Sequence, residues 1–163
     1  MTLHPSSPPL GFDPDRASTS QRRSVIDSGA AGLREVTRWL ISDPLTEGLP
    51  VGYFGTDGGA AVALIVAADA TEVVGAVVSV GGRPDFAGNA LRWVSAPTLL
   101  IVAEHDTEVL AANEIALDQL DGEKELEVLP EVRHHAEDAA AFEYMVALAA
   151  DWFEAHLLEL AGR

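Results

Sequence analysis

The sequence predicts an α/β protein in which a parallel sheet carries helices on both faces. Two observations lead to this fold class. Strand-like apolar segments alternate with helical segments along the chain, and three of the strands are apolar enough to be covered on both faces. With 163 residues, the chain has room for one domain with a proper core but hardly for two.

The chain is predicted to consist of an arm and one domain. Residues 1–24 are predicted to form an irregular arm, because they are rich in Pro, Ser, Thr and Asp and have no periodic apolar pattern. Residues 25–163 are predicted to form the domain. Apolar residues recur at helical spacing between Leu33 and Leu40, which predicts the first helix, and Pro44 ends it.

Beyond this helix, short apolar runs predict four strands, and amphipathic or alanine-rich segments predict the helices between them. The strands are predicted at residues 49–54, 73–80, 98–103 and 125–129. The later helices are predicted at about residues 60–68, 89–94, 108–120 and 138–160. The last helix is predicted to turn an apolar stripe inward, formed by Phe142, Val146, Ala149, Phe153, Leu157 and Leu160.

Composition excludes several classes of partner and site. The formal net charge is −16, from 26 acidic and 10 basic residues, so we expect neither nucleic acid nor a membrane surface as a partner. The chain has no cysteine, which excludes a disulfide, a thiol nucleophile and a thiolate zinc site. It has neither an apolar run that spans a bilayer nor the pattern of a secretory signal, so we expect a cytoplasmic protein.

The first polar feature is a glycine-rich turn between the first predicted strand and the following helix. The turn Gly55–Gly59 has the form of a nucleophile elbow, with Asp57 where serine is usual, and glycines on either side because strand and helix approach closely there. Two alternatives stay open at this point. Asp57 caps the helix through its carboxylate, or the turn cradles a phosphate group.

Two further polar features follow the third and fourth predicted strands, at the same edge of the sheet. Asp106 follows the third strand and has the place of a triad acid, although it also suits the N-cap of the next helix. His134 and His135 follow the fourth strand, where a loop histidine is more often solvated than catalytic. The order of nucleophile, acid and histidine is the order used by hydrolases with such an elbow. No metal-ligand spacing accompanies these residues, so we expect neither a metal nor another cofactor.

These features give the chain a resemblance to the α/β-hydrolase superfamily, in particular its dienelactone-hydrolase-like branch. The resemblance runs from about Leu33 to His156 and is carried by the run 49–55 that leads into the elbow, by 77–85 and by 96–102. These stretches look like the second half of such a hydrolase.

The resemblance implies a role for each matching residue. It implies Asp57 as nucleophile, Asp106 as acid and His134 as base. It further implies the Gly58 N–H as an oxyanion donor. The resemblance also implies that Thr56 and His135 are neighbours in the same binding site and that the substrate is a small molecule.

The sequence departs from the family pattern in two ways. An aspartate elbow looks like that of haloalkane dehalogenases and epoxide hydrolases, in which a carboxylate attacks carbon. The first strands of the fold have no counterpart in residues 1–24, so the strand at 51–54 is expected to have an unpaired edge. We therefore expect a homodimer across that edge, or a complex with a separately encoded N-terminal half.

Three functions are consistent with these residues. The first is a hydrolase of small carboxylic esters or related molecules, its activity impaired or redirected by Asp57, including the Asp-nucleophile chemistry above. The second is a catalytically inactive hydrolase-fold module that acts in assembly or binding. The third is an anion-binding module, which the carboxylate of Asp57 disfavours because it repels phosphate. The sequence favours the hydrolase.

Overall fold

The computed structural model describes residues 2–3, 18–130 and 139–161. The strands are β1 (Thr2–Leu3), β2 (Val51–Thr56), β3 (Val74–Val80), β4 (Thr98–Ala103) and β5 (Lys124–Leu129). The helices are α1 (Thr19–Ser42), α2 (Gly58–Asp69), α3 (Thr107–Gln119) and α4 (Ala139–Ala161), and a 3₁₀ segment spans Pro84–Trp93. Strands and helices alternate from β2 onward, as the sequence predicts.

The five strands form one sheet in the order β1-β2-β3-β4-β5, and all neighbouring strands are parallel. Residues of β3 alternate between the two faces because strand side chains have a period of two. Val77 packs with α1, α2 and the 3₁₀ segment, whereas Val78 packs with α4 on the opposite face. The predicted parallel sheet with helices on both faces is therefore confirmed.

Helix α2 is apolar on all sides because it is enclosed by the sheet, α1 and the 3₁₀ segment. Seven of its residues are buried, most of them alanine or valine. Small side chains let the surrounding elements approach closely. The start of α2 is consequently fixed in position immediately after β2.

The N-terminal region differs from the predicted irregular arm of residues 1–24 in two places. Helix α1 begins at Thr19, because Ser18 and Gln21 form a capping box in which each accepts a hydrogen bond from the other's backbone N–H. In addition, β1 pairs with β2 at Gly52 and Tyr53. The expectation of an unpaired β2 edge is therefore corrected at these two positions.

Helix α4 covers the sheet with a stripe that matches the predicted one in its second half but not in its first half. Phe142 and Val146 are 58% and 49% exposed, whereas Ala141, Met145 and Ala149 are buried against the sheet. The first half of the helix is thus rotated by about one position from the predicted phase, whereas Ala149 belongs to both stripes. Alanines occupy so many positions of this helix that the apolar pattern gives little contrast between neighbouring phases.

The C-terminal half of α4 packs on the beginning of β2. A Cβ atom on Gly52 would lie 2.7 Å from Cε1 of Phe153 and 3.0 Å from Cδ1 of Leu157, both too close for a real side chain. The aromatic ring therefore lies directly on the backbone of the strand that leads into the Asp57 turn. This contact anchors the first long strand to the last helix.

Candidate active site

Asp57 lies in a sharp turn between β2 and α2 and has an unusual backbone conformation. Its φ is 48° and its ψ is −129°, and within residues 18–130 and 139–161 it is the one residue other than glycine with a positive φ. Such a conformation costs on the order of 1–3 kcal/mol and persists only where the surrounding structure enforces it. The side chain of Asp57 is exposed. A strained turn between a strand and a helix is the form that a nucleophile elbow takes, so the conformation is compatible with the predicted role of Asp57.

Glycine is needed at Gly55 because the first turn of α2 passes directly over it. A Cβ atom there would lie 2.7 Å from both the backbone N of Ala60 and the carbonyl oxygen of Gly59. Backbone atoms cannot move away without disrupting the helix, so any larger residue would displace α2. The first glycine of the predicted elbow spacing thus has a steric cause in the structure.

The carboxylate of Asp57 does not cap α2. Asp57 occupies the N-cap position, but its side chain makes no capping hydrogen bond. Instead, its carbonyl oxygen accepts hydrogen bonds from the N–H of Ala60 (3.3 Å) and of Arg83 (2.9 Å). The helix-capping alternative for this carboxylate is therefore not supported, and the side chain is exposed at the turn.

Asp106, in contrast, does cap a helix. It follows β4, and its Oδ1 accepts a hydrogen bond from the N–H of Val109 at 3.2 Å, which stabilises the start of α3. The N-cap role that the sequence left open for Asp106 is thus present in the structure. A role as triad acid stays a prediction, and the position at the end of β4 is compatible with it.

The other predicted site residues differ in what the structure says of them. Gly58 directly follows Asp57 and opens α2, and nothing lies within 4 Å of the place where its Cβ atom would be. Thr56 is the last residue of β2 and is partly buried. His134 and His135 lie outside the described residues, so their predicted roles stay predictions. No cluster of histidine and carboxylate side chains suited to a metal occurs in the part of the chain that the structure describes.

Arg83, at the end of β3, belongs to this edge of the sheet and was not among the predicted site residues. Its Nε and Nη2 donate to the two carboxylate oxygens of Asp85, each at 2.9 Å, and its Nη1 donates to Oε1 of Glu108, also at 2.9 Å. The hydrogen bonds to Asp85 raise the pKa of Arg83 further above its usual range. The Phe86 ring lies 4.3 Å from the guanidinium carbon. The ion pair with Glu108 joins distant parts of the sequence, so sequence spacing gave no signal for it.

A cavity of about 370 Å³ lies elsewhere, between β5 and α4. Trp152 and His156 line it, together with acidic residues of β5, and neither Asp57 nor Asp106 does. The cavity is therefore separate from the elbow.

None of the helices within the described residues is long and apolar enough to cross a membrane.

Several solved structures and curated proteins are similar to this chain, although no protein-family model matches it. A dienelactone hydrolase from Anabaena variabilis has a TM-score of 0.78 and 46% identity, over 81% of this chain and 61% of that one. A ferulic acid esterase from Streptomyces cinnamoneus has a TM-score of 0.65 at 20% identity, over 98% of this chain and 56% of that one, a likeness of fold alone.

The curated relatives are two proteins from strains of Mycobacterium tuberculosis whose provisional name is phosphoribosyl transferase. Each is 48% identical to this chain over 132 residues. The matched region covers 81% of this chain but 30% of each relative's length. The name thus describes proteins that are much longer than the region that this chain matches.

Proposed function

We propose that this chain, which has part of the α/β-hydrolase fold and resembles a dienelactone hydrolase, is a hydrolase of small carboxylic esters or related small molecules whose activity on ordinary esters is impaired by Asp57. Asp57 takes the nucleophile position, Asp106 that of the acid and His134 that of the base. The N–H of Gly58 is a donor to the developing oxyanion, and Thr56 and His135 border the substrate. No cofactor takes part in this proposal.

The backbone of Asp57 is the observation that carries the proposal. A strained φ at an exposed residue gives nothing to stability, and Gly55 lets α2 approach closely enough to hold the turn in this conformation. The Asp57 carboxylate is free of the capping bond that would otherwise explain its presence. A turn that presents an uncommitted carboxylate at the carboxyl ends of parallel strands suits catalysis.

A carboxylate nucleophile restricts the chemistry. Attack of an Asp57 oxygen on a saturated carbon forms an ester bond to the enzyme and expels halide or opens an epoxide, whose oxygen then takes a proton. Water activated by His134 then attacks the carbonyl carbon of that ester, which releases the alcohol and regenerates the carboxylate. Attack on an ester carbonyl would instead give a mixed anhydride, a less favourable intermediate, so activity on ordinary esters is expected to be low.

Intact-mass spectrometry distinguishes these reactions. The protein is incubated separately with a halo-acid, an epoxide and an activated ester, and turnover is followed in parallel. We expect a covalent adduct on Asp57 that lasts longer when His134 is replaced, and none in Asp57→Asn. Asp69→Asn, which alters an exposed carboxylate at the end of α2, is the matched control and should behave like the wild type. Absence of both adduct and turnover with all three classes would refute the proposal.

An inactive hydrolase-fold module is the second candidate, and one observation favours it. Asp106 is engaged in capping α3, so its carboxylate is not wholly free to orient a histidine. Asp57→Ser separates the two candidates. A gain of esterase activity would show that the remaining site is functional, whereas a folded but inert variant would favour the module.

The phosphoribosyl transferase name is not carried over to this chain. A phosphate-binding turn uses free N–H groups at a helix N-terminus, and here the carboxylate of Asp57 stands beside that end of α2.

The partner expected from the sequence, a second copy or a separately encoded first half, is retained as a proposal. It is supported by the short β1, which pairs with two of the six residues of β2. Light scattering on the purified chain, alone and with a co-expressed first half, tests it. A monomer that binds no such half would contradict the proposal. The cytoplasmic location likewise stays a prediction.

A further inference from the structure

We propose that Arg83 is a positioning residue that holds the Asp57 turn and the N-terminus of α3 in a fixed relation to one another. The inference rests on the proposed function, in which Asp57 and Asp106 act together. It begins from the loop that follows β3, which lies between the loops that carry these two carboxylates. Because β3 lies between β2 and β4, the loop after β3 can contact both the loop after β2 and the loop after β4.

The first link joins this loop to the elbow. The backbone N–H of Arg83 donates to the carbonyl oxygen of Asp57 at 2.9 Å. Next to it, Gly82 packs so closely on Ala60 and Ser79 that a side chain there would overlap both. Any residue except proline could donate this backbone hydrogen bond to Asp57. The arginine side chain therefore contributes by holding the backbone of residue 83 in the position from which it donates.

The second link joins the same loop to α3. The Arg83 guanidinium donates to Glu108, in the first turn of α3 and two residues after Asp106. Deeper in the structure, the buried Asn113 donates through Nδ2 to the carbonyl oxygens of Gly82 (2.9 Å) and of Val109 (2.8 Å). The loop is thus held to α3 at two heights, by a buried amide and by a charged pair nearer the surface.

The third link keeps Arg83 itself in place. Its planar fork is bound in a bidentate manner by Asp85, and its charged end lies over the Phe86 ring. The side chains of Arg83 and Asp85 are 23% and 24% exposed, so this pair is better shielded from solvent than Glu108, whose side chain is 82% exposed. We therefore expect Asp85 to set the geometry and Glu108 to transmit it to α3.

The same contacts make Arg83 a poor anchor for an anionic substrate. Two carboxylates already face one guanidinium, so the local charge is negative, and three of its five N–H groups are engaged. Arg83 consequently acts through Asp57 and the start of α3, without touching the substrate.

Amide hydrogen exchange and kinetics on Arg83→Met, Arg83→Lys and Glu108→Gln test the inference. In Arg83→Met, exchange at residues 57–60 and 107–110 should accelerate by about tenfold, while exchange at 61–69 stays as in the wild type. With the substrate identified for the wild type, kcat should fall by about tenfold to a hundredfold with KM within about threefold, the pattern of a misplaced catalytic group. Glu108→Gln should accelerate exchange at 107–110 alone.

Arg83→Lys and Arg34→Met are the comparison variants. Lysine keeps the positive charge that faces Glu108 but loses the bidentate hydrogen bonds to Asp85. In Arg83→Lys, the exchange rate should therefore be closer to that of the wild type at 107–110 than at 57–60. Arg34 forms a comparable ion pair with Asp69 on the surface between α1 and α2, remote from the site, and its replacement should change neither exchange in the two loops nor kcat.

The outcomes are separable from those of the proposed function. If the wild type turns over none of the substrates, the proposed function fails while the exchange measurements still test Arg83. Unchanged exchange at both loops in Arg83→Met, or a uniform acceleration over the whole chain, would overturn the inference. If Arg83→Met does not fold, Arg83→Lys and Glu108→Gln carry the same test, and unchanged exchange in both would overturn it.

Discussion

At the level of single residues, the conformation of Asp57 carries a cost in stability that the carboxylate does not recover. Its φ of 48° favours glycine, which reaches this region without a clash at Cβ. The side chain is exposed and makes no capping hydrogen bond, so few stabilising contacts are lost when it is removed. Function and stability are therefore expected to oppose one another at this position.

Asp57→Gly should accordingly raise the free energy of unfolding by about 1 kcal/mol while activity is lost. Urea denaturation followed by circular dichroism measures the first effect. Asp57→Ala is the matched control, because alanine loses the carboxylate but keeps the strain, and its stability should stay within about 0.5 kcal/mol of the wild type. A glycine variant less stable than the alanine variant would show that the turn is not strained.

Asp106 combines a structural role with a predicted chemical one, and two substitutions separate them. Asparagine caps a helix about as well as aspartate, whereas alanine does not, so Asp106→Ala should lose about 1 kcal/mol of stability and Asp106→Asn only a few tenths. Activity should fall strongly in both, since neither retains a carboxylate to orient His134. Full activity in Asp106→Asn, measured beside urea denaturation, would leave Asp106 with the capping role alone.

At the level of elements, the packing of α1 against β2 includes a buried polar pair. Thr37 Oγ1 donates to the carbonyl oxygen of Leu33, so its hydroxyl hydrogen is used and Tyr53 is the donor in the 2.7 Å hydrogen bond between the two hydroxyls. Burial raises the pKa of the Tyr53 phenol above its usual value of 10.0. The neutral phenol is thus favoured in the folded state.

This shift makes stability depend on alkaline pH. Because the folded-state pKa is raised, the contribution of Tyr53 is fully present below pH 10 and is lost as the pH rises toward the folded-state pKa. The midpoint of urea denaturation, measured from pH 8 upward, should therefore fall above pH 10. In Tyr53→Phe stability should be lower by about 1 kcal/mol at pH 8, and the alkaline fall should be shallower. Tyr144→Phe, at an exposed tyrosine, should retain the wild-type slope.

The phase of α4 gives a second prediction at this level. Met145 is buried against the sheet, so Met145→Ala should destabilise the protein by about 2–5 kcal/mol through lost burial and a cavity. Phe142→Ala removes a larger side chain that is 58% exposed, and it should cost clearly less. Urea denaturation of both variants decides between the observed phase and the predicted one, for which the larger loss would belong to Phe142.

At the level of the whole molecule, the sequence was sufficient to predict those structural features that a single local pattern determines. Continuous apolar runs predicted the central strands, with β4 found at residues 98–103 as expected, because a strand covered on both faces needs no polar side. The spacing Gly55-x-Asp57-x-Gly59 predicted the sharp turn at Asp57, because the close strand-helix contact at Gly55 leaves no room for a side chain. Local chemistry and global fold agree at these places.

Features set by the three-dimensional neighbourhood were not predictable in this way. The bridge from Arg83 to Glu108 depends on two loops that meet only in the folded protein. The phase of α4 depends on which of many alanine-rich faces fits the sheet. The pairing of β1 with β2 depends on a two-residue strand that carries no period-two pattern long enough to recognise.

The packing of Phe153 and Leu157 against Gly52 affects how the chain folds. The strand that leads into the elbow is completed by a helix encoded near the other end of the sequence. During synthesis, β2 and β3 emerge from the ribosome well before α4, and the apolar face that α4 will cover stays open to other chains meanwhile. Folding of this protein is therefore expected to finish after α4 has been made, and a chaperone that shields one sheet face would increase its yield.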